Sequence, residues 1–430
     1  MSGCGASLRV GVALFVLCAA LAGVARADSL VLRSAGMHDT GLPAREPMIV
    51  RHPGGELFLA GYWRYQDPYA PLQLWRSGDD GESWQAVALS DDPAARGNSD
   101  VDLAVGPQGT LYYATMGFDR QAARGTHVIV GASTDLGSSW QWRVLSEVRG
   151  VDRPWVAVVP DGRAHVIWND GEGVHYASSD DRGDSWSEQG LVHRAGGSSH
   201  LAVGPGGELA VRIAPYAVSG ATYSPGVDLI ALRVPGAQAW RKVPAPGERD
   251  WAGAFNGESV PRWVEPLAFD ATGALYSLWS EGERVYLARS RDLGESWDRW
   301  LVAEGEAQAH YPYLVARGSG EVAASYFTGT GDSLAVQVVY GRVPEDAGEP
   351  LALAKAAPFK QPARSGPPGA VRASTAGEYL PVLFLPEGRL AVAAVMQDAV
   401  QVAPGNEQLV DGPQGFLWRV YGLPVPASKP

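Results

Sequence analysis

Seven short polar groups recur along this chain, each just ahead of an apolar run. They are Arg45-Glu46, Asp100 with Asp102, Asp152-Arg153, Ser199-His200, Arg262 with Glu265, His310-Tyr311 and Glu378-Tyr379. These residue types bind and transform polar ligands. Arginine presents a planar fork of donors that suits carboxylates. Carboxyl groups can move protons. His200 and His310 could act as bases or ligands. Asp100, Asp102 and Asp152 together are rich enough in oxygen to suit a hard cation, so Ca²⁺ is the one cofactor to consider. The eight histidines are otherwise scattered, with no H-x-x-x-H or H-E-x-x-H spacing, and no G-x-S-x-G, phosphate-loop or dinucleotide pattern occurs. A second set of polar and aromatic residues follows the next apolar run in several cases: Trp63, Arg64, Tyr65, Asp67, Asp119, Arg120, Asn169, Asp170, Glu281, Gln397 and Asp398.

The elements that must position these groups repeat. Each polar group leads into an apolar strand-like run, a Pro/Gly turn and a second run. The turns are Pro53-Gly54-Gly55, Pro107-Gln108-Gly109, Pro160-Asp161-Gly162, Pro205-Gly206-Gly207, Thr272-Gly273, Gly318-Ser319-Gly320 and Pro386-Glu387-Gly388. Self-similarity at this period marks a propeller, with four short antiparallel strands per blade. No segment shows sustained helical periodicity. The expected fold is an all-β, seven-bladed β-propeller, or six-bladed if one unit is not a full blade. Unit seven has runs at 380–385, 389–396 and 415–421 but lacks a fourth. The segment Ser29–Arg33 has no partner, so it is expected to close the ring as the outer strand of blade seven. Blade six's outer strand is expected near Leu351–Ala354. The innermost strands line the axis, so the seven polar groups converge on one funnel. Convergent polar groups with aromatics at a domain axis make the default ligand site.

Between two later apolar runs of a unit lies a further motif, present four times: Ser77 to Trp84, Ser133 to Trp140, Ser179 to Trp186 and Ser290 to Trp297, all S-x-D-x-G-x-S-W. Asp can accept hydrogen bonds from its own turn, Gly supplies a backbone shape closed to other residues, and Trp returns apolar area to the sheet. A structural turn is the plain reading, and Ca²⁺ binding by these aspartates the alternative. Unit four keeps only Trp240 after Arg233-Val234-Pro235-Gly236, and units six and seven have lost the motif.

This pattern resembles the Asp-box, or BNR repeat, of the sialidase-like β-propellers, over nearly the whole mature chain. Ala44-Arg45-Glu46-Pro47 resembles that family's Arg-Ile-Pro motif, which implies that Arg45 grips a sialic acid carboxylate. Asp67 falls in the region of the family's general acid. Glu265-Pro266 heads an inner strand, as the family's catalytic Glu does. Tyr311-Pro312-Tyr313-Leu314 resembles Tyr-Ser-x-Leu, which implies Tyr311 as a nucleophile polarised by a Glu. Tyr379 is the rival nucleophile under a different register. The chain departs from the family in two ways. Glu281 stands where a second carboxylate-binding Arg belongs, with Arg284 slightly later, and the third Arg has only Arg317, Arg262 and Arg153 as candidates. Catalytic sialidases also have six blades. Two hypotheses stay open. One is a glycan-recognising propeller that hydrolyses through Asp67, Glu265 and Tyr311, with substrate contacts from Arg45, Asp100, Asp102, Asp152, Arg153, His200, Arg262, His310 and Tyr379. The other is a non-catalytic binding or scaffold propeller with a protein partner. The chain is expected to act as a monomer.

The leading residues read as a secretory signal. Arg9 flanks an apolar stretch from Val10 to Val24, too short to span a bilayer comfortably, and Ala25-Arg26-Ala27 fits a cleavage site. The expected organisation is a leader over 1–27, one propeller over 28–423 and a tail over 424–430, secreted or periplasmic. Both cysteines, Cys4 and Cys18, fall in the leader, so the mature chain keeps no thiol and relies on its core. The formal net charge of −12 becomes two units more negative when the leader and its two arginines are removed. Such an acidic chain is a poor partner for nucleic acid or an anionic membrane, and no later run reads as a membrane helix. Two long insertions, 344–377 and 248–262, flank the repeats. Trp251, Phe255 and Trp263, in and beside the latter, could stack on sugars or pack on the propeller.

Overall fold

A computed structural model of the chain describes residues 31–424 apart from 63–66, 90, 216–226, 248–264, 306, 330–332, 363–377 and 398–413. The leader, Arg64, Arg262, Trp251, Phe255, Trp263, Asp398 and nearly all of the tail lie outside the described residues. Among the described residues there are strands and no helix.

The strands form seven antiparallel blades, which decides the blade count. Blade one comprises Arg45–Arg51, Leu57–Tyr62, Gln73–Ser77 and Gln85–Ala86. Blade two runs Ser99–Val105, Leu111–Asp119, Arg124–Ser133, Gln141–Ser146, and blade three Asp152–Val158, Ala164–Asp170, Gly173–Ser179, Ser187–His193. Blade four has its inner strand broken into Gly197–Ser198 and Ala202–Val203, followed by Leu209–Ala214, Leu229–Arg233 and Arg241–Pro244. Blade five is Leu267–Phe269, Leu275–Glu281, Arg284–Ser290, Asp298–Glu304. Blade six is Ala309–Arg317, Glu321–Thr328 and Ser333–Arg342, with an outer edge split between Leu353–Ala356 and Phe359–Pro362. Blade seven is Val382–Leu385, Arg389–Gln397, Gln414–Gly422 and, from the start of the chain, Val31–Pro43.

Ring closure is more extensive than the sequence implies. The closing strand reaches Pro43, and it serves two blades. Val31 and Leu32 pair in parallel with Lys355 and Ala356 of blade six, and Arg33 to Pro43 then pair antiparallel with blade seven. The expected strand at Ser29–Arg33 is therefore only the beginning of a longer clasp. Blade six's outer strand lies where expected, at Leu353–Ala356.

Burial falls from axis to rim. Second strands are enclosed on both faces, so they read as unbroken apolar runs: every residue of Ala164–Asp170 is buried. Outer strands such as Gln141–Ser146 are largely exposed. The four S-x-D-x-G-x-S-W turns share one hydrogen-bond pattern at their serines, aspartate and glycine. In the first, Ser77 Oγ donates to Asp79 Oδ1 (2.7 Å), and Ser83 donates to the same carboxylate through its N–H (2.9 Å) and Oγ (2.5 Å). Gly81 N–H reaches Ser77 Oγ (2.8 Å) and Trp84 Nε1 reaches Gly81 O (3.1 Å). Asp135, Asp181 and Asp292 repeat the carboxylate contacts, so their oxygens are occupied by their own turns. Each turn rests on the preceding blade. Trp84 meets Trp418 of blade seven edge-on at 5.7 Å, and Trp186 meets Tyr112 of blade two at 6.4 Å. The fit explains the glycine: at Gly183, φ is +88°, and a Cβ would stand 2.5 Å from Ala132 Cβ.

Candidate functional site

The site begins with a backbone irregularity. The inner strands of blades one, two, three and six each carry a register shift at their heads. Each holds one non-glycine residue with positive φ there: Glu46 (49°), Asp100 (33°), Arg153 (52°) and Tyr311 (44°). Three of the four precede a proline, Pro47, Pro154 and Pro312. A residue before proline prefers extended backbone, and αL is costly for side chains of this size. Such strain is of order 1–3 kcal/mol per residue and persists where surrounding structure over-determines it. The bulges gather polar side chains of chain-distant strands into one network at the axis.

In that network, Tyr62 donates to Glu46 Oε2 (2.6 Å) and Glu378 N–H donates to Glu46 Oε1 (3.1 Å). Tyr379 donates to Asp100 Oδ1 (2.9 Å), and Arg153 N–H to Asp100 Oδ2 (3.3 Å). The Arg153 guanidinium reaches Glu378 at 3.0 Å and Asp152 at 3.9 Å. Arg45 is buried beside Glu46. The side chains of Asp152, Arg153 and Glu378 keep 16, 12 and 22 % of their exposure and form the open part. Rings from three other blades join Tyr379: Trp155 and His200 lie 3.9 Å apart, and His200 stands 5.4 Å from Tyr313 and 5.6 Å from Tyr379.

Burial sets the protonation states. It pushes Asp152 well above the carboxylate range, and Asp100, which shares a hydrogen bond with it, and Glu378 push further. Burial also raises Glu46, against the pull of Arg45. Tyr62, Tyr311 and Tyr379 are raised well above the usual phenol range, first by burial and then by facing carboxylates, so all three are O–H donors at neutral pH. Burial, with Arg153 adding, lowers His200 to about 3, leaving a neutral imidazole. For Arg153, burial acts downward but is outweighed by Glu378 and Asp152.

The structure thus brings together Arg45, Asp100, Asp152, Arg153, His200, Tyr311 and Tyr379. Other residues named from the sequence are placed elsewhere. Asp102 is buried with both oxygens bound by backbone N–H groups of Leu103 and Val156 (2.9 Å each), tying blade two to blade three. The Asp100–Asp102–Asp152 trio is therefore not assembled around a cation, and no metal-holding cluster of three His, Cys, Asp or Glu occurs among the described residues. Asp67 is exposed and accepts the N–H of Tyr69 (2.8 Å), capping its own turn. His310 is buried with Nε2 bonded to Gly329 O (2.8 Å). Glu265 is buried and faces Arg212 (3.5 Å), which also pairs with Asp228. The carboxylates acting on Tyr311 are Glu378 and Glu46. Of the third-arginine candidates, Arg317 sits at the hairpin end of its blade, paired with Glu321 (2.8 Å), and Arg153 is held by Glu378. Arg284 is an exposed partner of Glu304.

Tyr62 and Arg212 are not marked as site residues by the sequence, because both lie inside apolar second strands and look like core. The recurrent x-Pro at the heads of inner strands was the available signal for the bulges.

No protein-family model and no curated protein matches the sequence. Among solved structures, the chain is similar to a PL25 ulvan lyase bound to a GlcA(1-4)Rha3S repeat. The two share 10 % identity over 89 % of this chain and 95 % of that one, with a TM-score of 0.50. The fold is an all-β, seven-bladed propeller. YCF48 from Cyanidioschyzon merolae (14 % identity, 90 and 99 % coverage, TM-score 0.49) and the phage phi92 endosialidase (11 %, 94 and 70 %, 0.48) are also similar. At these identities the likeness of this propeller to them concerns fold alone.

Proposed function

We propose that this exported propeller recognises a glycan at its axial funnel, and that the sugar unit held there carries no carboxylate. The observation that carries this reading is the charge of the network. Arg45 and Arg153 face Glu46, Asp100, Asp152 and Glu378. Among the described residues Arg153 is ion-paired with Glu378 and Arg45 lies beside Glu46, so the acids outnumber the guanidinium groups that could grip an anionic sugar. What the funnel offers is protonated phenols and carboxyl oxygens beside buried rings, a set suited to sugar hydroxyls. The polysaccharide-active names among the structural neighbours agree with a glycan ligand.

A glycan array probed with the mature chain tests it. Neutral oligosaccharides should bind, and Asp100→Asn or Tyr379→Phe should weaken binding at least about tenfold, since each leaves a buried partner unpaired. Preferential capture of sialylated or uronic glycans that Asp100→Asn or Tyr379→Phe abolishes would overturn the proposal.

A hydrolytic reading has one observation in its favour. Asp152, held protonated, shares a hydrogen bond with Asp100. A carboxyl held protonated is what general-acid cleavage of a glycosidic bond uses. Release of nitrophenol from neutral aryl glycosides, lost in Asp152→Asn, would support it. Fluorogenic α-sialosides should not be turned over, and activity on them that Tyr311→Phe abolishes would restore sialidase chemistry.

A further inference from the structure

A groove opens on the hairpin-turn side of the ring, between blades three and four, where one turn motif is missing. The ladders show what replaced it. In the four blades with the motif, the opening serine sits opposite the first residue of the second strand: Leu57↔Ser77, Leu111↔Ser133, Ala164↔Ser179 and Leu275↔Ser290. The corresponding pair in blade four is Leu209↔Arg233. Arg233 therefore occupies the serine's place. Its Nε donates to Ala237 O (3.0 Å), across a short turn closed by Ala237 N–H to Val234 O (3.1 Å). Trp240 is retained, edge-on to Tyr176 of blade three at 5.3 Å. The Asp–Ser cluster that would cover blade three is not.

The uncovered seat is polar. Where blade two presents Tyr112 opposite Ala132, blade three presents His165 opposite Ser178. The groove encloses about 560 Å³ and is lined by Asp161, Arg163, His165 and Tyr176 of blade three and by the turns 205–207 and 234–238 of blade four. That volume lies within the usual range for small-ligand sites. Blade six also lacks the motif, but its seat is filled: Arg289 of blade five donates to the carbonyls of Pro344 (2.6 Å) and Glu345 (3.1 Å).

The groove's donors are preset. Tyr176 Oη lies 2.8 Å from His165 Nδ1. Burial, then Arg163 and Arg233, lowers His165 to about 4, so the ring is neutral. With the tyrosine donating to Nδ1, the proton is assigned to Nε2, which has no protein partner among the described residues. Arg233 also stacks over Tyr176 at 4.9 Å, and Arg163 is steadied through Nε by Asp180 (2.5 Å). Two guanidinium groups thus flank a neutral imidazole donor.

We infer that this groove binds a small organic oxyanion, a carboxylate or sulfate ester on a polar ring, held between Arg163 and Arg233 with His165 as third donor. The site is separate from the funnel and opposite to it in charge preference.

Isothermal titration of the mature chain with glucuronic acid, glucose 6-sulfate, inorganic sulfate and glucose tests it. Either or both of the first two should bind, glucose should not, and Arg163→Ala and Arg233→Ser should each weaken binding about tenfold or more. Arg163 is exposed and Arg233→Ser restores the residue found in four other blades, so both variants should unfold at the parent's temperature. Asp100→Asn in the funnel should leave this binding unchanged, which separates its failure from that of the funnel reading. Equal binding of glucose, inorganic sulfate binding as tightly as the sugar anions, indifference to both arginine variants, or loss with Asp100→Asn would each overturn the site.

Discussion

His200 lies against Trp155 at the axis as a neutral ring, held down to about 3 by burial and by Arg153. A group kept neutral in the fold but free to protonate once unfolded contributes stability that is present above its ordinary value near 6.5. That contribution drains as pH falls toward 3. His165, lowered to about 4, adds in the same direction. Asp152 and Glu46 are raised, so their contribution has the opposite slope and is lost as pH rises. The histidine slope should therefore be separable. Urea unfolding from pH 7 to 4 should show the parent losing distinctly more stability, or gaining distinctly less, than His200→Gln. Identical slopes would mean that His200 is solvated rather than buried neutral. The same side chain illustrates what was legible. Its position at a strand head followed from the repeat, as did those of Asp100, Asp152, Arg153 and Tyr379. Its partners did not, because they come from other blades. Glu265 and His310 head their strands just as regularly, yet Glu265 pairs with Arg212 of blade four and His310 with the Gly329 carbonyl of its own blade. Position in a repeat tells which face a residue occupies, and side-chain pairing decides whether it is free to act.

The turn motif is the element most completely written in the sequence, because its serines, aspartate and glycine each have a local bond to make. Asp135 accepts from Ser133 Oγ, Ser139 N–H and Ser139 Oγ (2.9, 2.8 and 2.6 Å), and these bonds hold its carboxyl below the usual range. The turn is exposed, so each bond contributes modestly, and Asp135→Ala should cost about 1–3 kcal/mol in denaturant unfolding. Gly183→Ala should cost more, since the new methyl meets Ala132 in backbone of positive φ. Should the order reverse, seating of the turn on its neighbour would matter less than its internal bonds. The bulged heads of the inner strands were harder to read. Their prolines stand in plain sight, but a positive φ at Glu46, Arg153 or Tyr311 contradicts local preference and is imposed by contacts across the axis. Blade four departs most: its inner strand is two fragments, and its turn is replaced through Arg233.

A ring of blades is limited by its seam, because the first and last blades must meet without a covalent bond and both cysteines, Cys4 and Cys18, lie ahead of the blades. The clasp answers this with one strand shared between two blades. Its first residues pair in parallel with Lys355 and Ala356, and the remainder runs antiparallel to blade seven from Gly422 back to Gly415. Leu32 is buried at the crossover. A missing fourth strand in unit seven signalled the closure, but not its double use. Parallel pairing of two residues with blade six leaves no periodic trace. The clasp also covers the edge of Gln414–Gly422, which would otherwise be open to pairing with other chains. Removing residues 31–43 should therefore do more than subtract the stability of one strand's pairing. It should open the seam, reduce the unfolding temperature by roughly 10 °C or more, and make the shortened protein self-associate in sizing chromatography. Supplying residues 28–43 as a separate peptide should reverse both effects, because the strand pairs through its backbone. A truncated chain that stays monomeric with the parent's unfolding temperature would show that the other six blade interfaces hold the ring closed unaided.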